Sequence, residues 1–246
     1  MKKKEYDNKS IVTVALFAAV TFVLAISPLG FIPIGFINAT TMHIPVIIAA
    51  IYISPKMGAL VGGIFGLISL VRSIFFPSIM TPFIINPMVS VFPRIFIGLV
   101  AGYVYLFLSK KTDRQIRGLS IIFWLICSLG LIYLAYTSRQ DPISFGFFLA
   151  AFGLIFCIFM VYKSFKRETG DFPTAFSAFV GSITNTLGFL TALYLLYGKD
   201  YALALGADPK LAGTLIFGLG VSSGIPEAIV SVIISTAIVK ALRRIK

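Results

Sequence analysis

Five side chains able to carry charge or make strong hydrogen bonds interrupt long apolar runs: His43, Arg72, Arg94, Asn185 and Glu227. Two guanidiniums and an imidazole set against one carboxylate and one amide suit the capture of a small anion. A guanidinium grips a carboxylate through two parallel N–H···O bonds, which makes Arg94 the expected carboxylate contact. Glu227 and Asn185 are then left to meet hydroxyl or amide donors. Asn38 and Thr41 join His43 in "FINATTMHIPVIIAAI" (36–51), where Pro45 disturbs the start of a helix and frees backbone groups for a ligand. This stretch reads as the outer lip of a pocket. Asn86 sits in "FFPSIMTPFIINPMVSVFPR" (75–94), a segment with four prolines, too broken for a regular helix and too apolar for a solvated loop. It reads as a lid over the same pocket.

Reaction chemistry is absent from this set. The chain has no Gly-x-x-x-x-Gly-Lys-Ser/Thr phosphate loop, no His-Glu-x-x-His, no nucleophile elbow and no aspartate-rich metal motif. With one histidine and nine acidic residues, no catalytic constellation assembles, and no metal or cofactor is expected. Cys127 and Cys157 lie inside apolar runs and read as small buried residues, neither a disulfide nor a metal site. Binding or transport is therefore favoured over catalysis. Active transport would need energy from another subunit, because no nucleotide-binding segment is present.

The elements that must position these residues follow from composition. Of 246 residues, 58% are hydrophobic and 12% charged, too little polar surface to cover a water-soluble core. The chain reads as one polytopic membrane domain over 1–246, all-α. The net charge of +12 does not point to nucleic acid, because the basic residues sit in short clusters between apolar runs. Eight spans are expected, at about 10–27, 40–54, 57–76, 89–109, 118–137, 142–162, 173–197 and 211–240. Lys2, Lys3, Lys4 and Lys9, then Lys56, "KKTDRQIR" (110–117), "KSFKRETGD" (163–171) and "KALRRIK" (240–246) all fall on one side if all eight cross. The positive-inside rule then places both termini in the cytoplasm.

Depth supplies the link between the spans and the polar set. His43 lies 13 residues before Lys56, Arg72 lies 16 after it, and Arg94 lies 16 before Lys110. Asn185 lies 14 after Asp171, and Glu227 lies 13 before Lys240. At about 1.5 Å per helical residue all five stand roughly 20 to 24 Å from the basic boundary. Ionisable groups at that depth are costly unless paired or facing a polar cavity, so five at one level predict a shared pocket opening outward. Blander readings exist for each: Arg72 reaching the outer headgroups, Arg94 and Glu227 as a structural ion pair, Asn185 as interhelical glue, His43 as a packing residue.

Small residues predict how the helices meet. Gly58, Gly62 and Gly66 recur every four residues, as do Gly98 and Gly102, which lets backbones approach closely where lipid offers no hydrophobic drive. Ala15 and Ala19 form another such pair in the first helix, read on this evidence alone as a packing ridge.

Taken together, the slim first helix, "FINATTMHIPVIIAAI", "SPKMGALVGGIFGLISL", "VSVFPRIFIGLVAGYVY", "AFVGSITNTLGFL" and "SGIPEAIVSVII" resemble the substrate-binding S components of energy-coupling factor vitamin transporters, most of all the pantothenate-type members. The resemblance covers about 10–110 and 172–246. It implies a vitamin binder in the cell membrane that docks on a transmembrane coupling subunit driven by two cytoplasmic ATPases. It also implies that Ala15 and Ala19 face that coupling subunit, reversing the packing-ridge reading. Such S components have six helices, so the pair at about 118–162, within 111–171, is expected to be a lipid-facing insertion that preserves in-out parity. A small anion bearing hydroxyl and amide groups, such as pantothenate, fits the polar set. Other vitamins or modified bases, a facilitator needing no partner, and a membrane enzyme acting on a lipid or isoprenoid substrate remain as alternatives.

Overall fold

The computed structural model describes residues 8–27, 30–34, 37–137, 145–166 and 169–244. Lys2, Lys3 and Lys4, with Arg167 and Lys246 of the basic runs invoked above for orientation, lie outside the described residues. The chain is a helical bundle with one short hairpin: α1 (Asn8–Ile26), β1 (Phe31–Ile34), β2 (Ile37–Thr40), α2 (Ile44–Tyr52), α3 (Pro55–Phe75), α4 (Thr81–Ile84), α5 (Pro87–Ser90), α6 (Phe92–Leu108), α7 (Asp113–Thr137), α8 (Phe145–Phe165), α9 (Phe172–Ala204), a 3-10 turn (Pro209–Leu211) and α10 (Ala212–Arg244). The antiparallel hairpin, with Phe31 opposite Thr40, is an addition to the all-α expectation.

Prolines account for much of the punctuation. A helix's first turn has unpaired N–H groups, so proline costs nothing there and presets φ. Pro45, Pro55, Pro82, Pro87, Pro93 and Pro173 all fall in first turns. The broken segment 75–94 therefore becomes two single-turn helices and the start of α6 instead of an irregular lid. The Ser54 hydroxyl caps α3 by accepting from Met57 N at 3.3 Å, and the Asn86 side chain caps α5 by accepting from Met88 N at 2.9 Å. α9 carries a break at Tyr197 (φ −140°, ψ 16°), the position at which the sequence ended that span.

Five stretches among the described residues are long and apolar enough to cross a bilayer: Pro55–Phe75, Pro87–Leu108, Asp113–Tyr133, Phe172–Ala204 and Pro209–Arg244. The described parts of α1 and α8 are apolar but shorter. The second expected span, 40–54, is reduced to the nine residues of α2. At about 1.5 Å each these cover less than half of a ~30 Å hydrocarbon core. Every α2 residue from Ile44 to Ile51 is buried, with α1, α3, α6, α9 and α10 packed around it. α2 is thus the axis of the bundle, not one of its walls.

α3 and α6 meet backbone to backbone through the predicted glycines. A Cβ on Gly98 would stand 2.1 Å from the Gly58 carbonyl carbon, and one on Gly62 would stand 2.1 Å from the Arg94 oxygen. Gly98→Val is therefore expected to drive α3 and α6 apart and cost about 3 kcal/mol, the upper end of overpacking. Gly118→Val, with nothing within 4 Å of its Cβ, is the control. Equal melting of the two variants in detergent would contradict this packing.

The basic clusters gather at one end. A Cβ on Gly102 of α6 would touch Pro55 at the start of α3, and Arg243 near the end of α10 donates to the Tyr105 hydroxyl of α6 at 2.6 Å. Lys240 of α10 pairs with Asp171 before α9 at 2.7 Å, and Lys163 of α8 stands 3.8 Å from the same carboxylate. α7 and α8 pack on each other, joined by the Ser120–Ser164 hydroxyl bond of 2.7 Å. Phe123 of α7 lies edge-on against Phe172, Phe176 and Phe179 of α9.

Candidate functional site

Four of the five deep polar residues converge. His43 precedes α2, Arg94 lies in the first turn of α6, Asn185 is midway along α9, and Glu227 follows Pro226 inside α10. All four are at least nine-tenths buried. Arg94 lies within electrostatic reach of both His43 and Glu227, and the Asn185 amide lies beside the Glu227 carboxylate. Arg94 and Glu227 are electrostatically coupled without a direct ion pair within 4.0 Å.

Arg94 is held by its surroundings. Its guanidinium lies 5.6 Å from the Phe65 ring centre and 5.0 Å from that of Phe189, while Nη1 donates to the Val89 carbonyl. Two aromatic faces stabilise a cation and fix the plane of the fork without consuming its N–H donors. Its Nε has no partner. Neither imidazole nitrogen of His43 has a hydrogen bond of normal geometry, nor do Asn185 Oδ1 and Ser182 Oγ. Buried polar groups in native proteins are nearly always satisfied, so the unpartnered atoms gathered in this one group single it out as the candidate site.

Glu227 is engaged from the hairpin side. Its Oε1 accepts from the Thr40 backbone N at 2.8 Å and from the Thr40 hydroxyl at 3.2 Å. The 31–40 hairpin is thereby latched to α10 above α2. Thr40, Phe65, Phe189 and Ser182 were not singled out in the sequence. Thr40 alone had a visible signal, the polar run "NATT", of which the neighbours were chosen instead.

The remaining expected residues lie apart from the four or at their edge. Arg72 donates from Nε to the Ala25 carbonyl of α1 at 2.8 Å and stands over the Phe76 ring, on the α1 side of the bundle. Asn86 donates from Nδ2 to the Tyr197 hydroxyl at 2.9 Å, so it ties α5 to the break in α9. Thr41 is buried, and its backbone N–H donates to Gly30 O, closing the base of the hairpin. Asn38 pairs with Pro33 in the hairpin, and its side chain lies outside the described residues. Ala15 and Ala19 are exposed on α1. Among the described residues no group of three His, Cys, Asp or Glu side chains could hold a metal ion.

The chain is 33% identical over 104 residues to "Pantothenate transporter PanT" of Leuconostoc mesenteroides subsp. mesenteroides, covering 40% of this chain and 51% of that protein. It is 25% identical over 208 residues to "Pantothenic acid transporter PanT" of Lactococcus lactis subsp. cremoris, covering 85% of this chain and 79% of that protein. The match thus spans about half the length of the first relative. The profile of the family described as "ECF transporter, substrate-specific component" matches residues 9–140, more than half of the chain, and the protein belongs to that family.

Proposed function

We propose that this protein captures pantothenate at the outer face of the cell membrane and delivers it to an ATP-driven energy-coupling factor module. The observation that carries this reading is the buried group of His43, Arg94, Asn185 and Glu227 with its unpartnered donors and acceptors. Pantothenate offers a carboxylate for Arg94 and hydroxyl and amide groups for Glu227 and Asn185. Two relatives carry pantothenate in their names. Membership of a transporter family displaces the enzyme reading. Calorimetric titration of the purified protein with pantothenate tests the assignment. Saturable tight binding is expected, and binding of another vitamin with no heat from pantothenate would redirect it.

In this reading the basic end of the bundle faces the cytoplasm, all eight segments cross with α2 and its flanks as the shortest, and both termini are cytoplasmic. Admission to the closed polar group requires the hairpin to part from Glu227, a single carboxylate latch. The lid role assigned to 75–94 then passes mainly to 31–40. Ala15 and Ala19, exposed on α1, form the contact to the coupling subunit, with two cytoplasmic ATPases beyond it.

The α7–α8 pair is an insertion into a core of about 10–110 and 172–246. Phe172, Phe176 and Phe179 of α9, which Phe123 covers, would face lipid without it, a small change where the solvent is itself apolar. Excision of about 112–170 with a short flexible join is expected to leave pantothenate affinity within a fewfold of the parent by calorimetry. Complete loss of binding in a folded, monodisperse variant would show that the pair shapes the site.

A further inference from the structure

The chain's two cysteines, which read in the sequence as neither a disulfide nor a metal site, meet on the seam between α7 and α8. Cys127 and Cys157 are free thiols hydrogen-bonded to each other, and the Ser128 hydroxyl lies within reach of Cys157. The contacts on either side fix their alignment. Toward the basic end Ser120 and Ser164 share the hydroxyl bond of 2.7 Å. One turn beyond the cysteines in the other direction, a Cβ on Gly153 would stand 3.1 Å from Leu131 Cδ1. The three contacts step along the antiparallel helices in register, so the thiols face each other at the centre of a packed interface. Glycine at 153 brings the two backbones close one turn away, and close backbones are what a disulfide requires, with Cα atoms about 4.4 to 6.8 Å apart. Among the described residues no third His, Cys, Asp or Glu joins the pair to hold a metal ion.

The surroundings select the chemistry that can reach these thiols. Cys127 lies ten residues past Arg117, about 15 Å into a hydrocarbon core ~30 Å thick if α7 crosses the bilayer. Ile126 and Leu129 beside it, and Ile155 and Ile158 beside its partner, are exposed on the outer face of the helix pair, where acyl chains are the solvent. We infer that the cysteine pair is a modification site, at which a hydroperoxide dissolved in the hydrocarbon oxidises the two thiols to a disulfide that clasps α7 to α8. One thiolate attacks the peroxide, the O–O bond breaks, an alcohol leaves and a sulfenic acid forms. The second thiol attacks that sulfur, the S–S bond forms and water leaves. The thiols give up two electrons and two protons in all, and the two peroxide oxygens take them as the alcohol and water. Because the second thiol is already in contact, disulfide closure outruns further oxidation of the sulfenic acid. Glutathione carries charge and does not enter the hydrocarbon, so the clasp outlasts the oxidant.

The test uses the full chain reconstituted in vesicles of saturated phosphatidylcholine. Cumene hydroperoxide or hydrogen peroxide is added at equal concentration, the reaction is stopped with acid, and the chain is unfolded, alkylated and weighed by mass spectrometry. With cumene hydroperoxide the intact mass is expected to fall by about two units and the alkylated thiols to fall from two to none, both reversed by dithiothreitol after unfolding. Hydrogen peroxide, which partitions poorly into hydrocarbon, is expected to act at least about tenfold more slowly. Two thiols still alkylated in the treated chain, or oxygen added without loss of the two units, would overturn the modification site. Disulfide-linked dimers, absent from Cys127→Ser or Cys157→Ser, would overturn the clasp within one chain. Equal rates with the two peroxides would overturn the hydrocarbon oxidant.

Discussion

Arg94→Ala loses most pantothenate binding while inserting and purifying as a folded species. Charge-assisted contacts of this kind contribute about 1.5 to 3 kcal/mol, roughly ten- to more than a hundredfold in affinity. The geometry raises the expectation toward the upper end, because the cation lies over the Phe65 and Phe189 rings and its Nε has no other partner. The same side chain also meets the Val89 carbonyl, so some loss of stability accompanies the change. Arg94→Lys separates the two effects. A lysine keeps the charge and its attraction to the rings but lacks the planar fork, so it should restore melting more fully than affinity. Calorimetry on both variants measures this, and unchanged affinity in Arg94→Ala would remove the residue from the site.

The second large effect separates capture from transport. Ala15→Trp with Ala19→Trp is expected to abolish ATP-dependent uptake in vesicles reconstituted with the coupling module, while the isolated chain binds pantothenate normally. The two alanines lie one turn apart on an exposed face, whereas Val14 and Phe17 on the other side of α1 are buried. Bulky side chains there clash with nothing inside the chain but hold off an approaching helix. Normal uptake would make the stripe ordinary lipid-facing surface. Loss of binding as well would make the alanines internal packing, against their exposure.

Counting residues from the basic clusters was enough to bring His43, Arg94, Asn185 and Glu227 together, because rise along a helix is fixed and depth follows from it. Direction around the helix axis turns by about 100° per residue, so depth alone says nothing of which way a side chain points. Arg72 shows the consequence: it has the right height but meets α1 at Ala25. The bond that Asn86 makes was out of reach for a related reason, since its partner Tyr197 comes near only through packing of α4 and α5 against the outer part of α9. The hairpin was missed because "FIPIGFINAT" is apolar, short and interrupted by proline, a weak strand signal. The glycine contacts were legible in advance, since a four-residue repeat of glycine in an apolar helix has one main physical use.

Native mass spectrometry of the protein purified from cells grown in rich medium identifies the molecule that the buried polar group retains. A single bound pantothenate is expected on the parent chain and none on Arg94→Ala prepared in parallel. A different retained vitamin, or pantothenate held equally by Arg94→Ala, would contradict it.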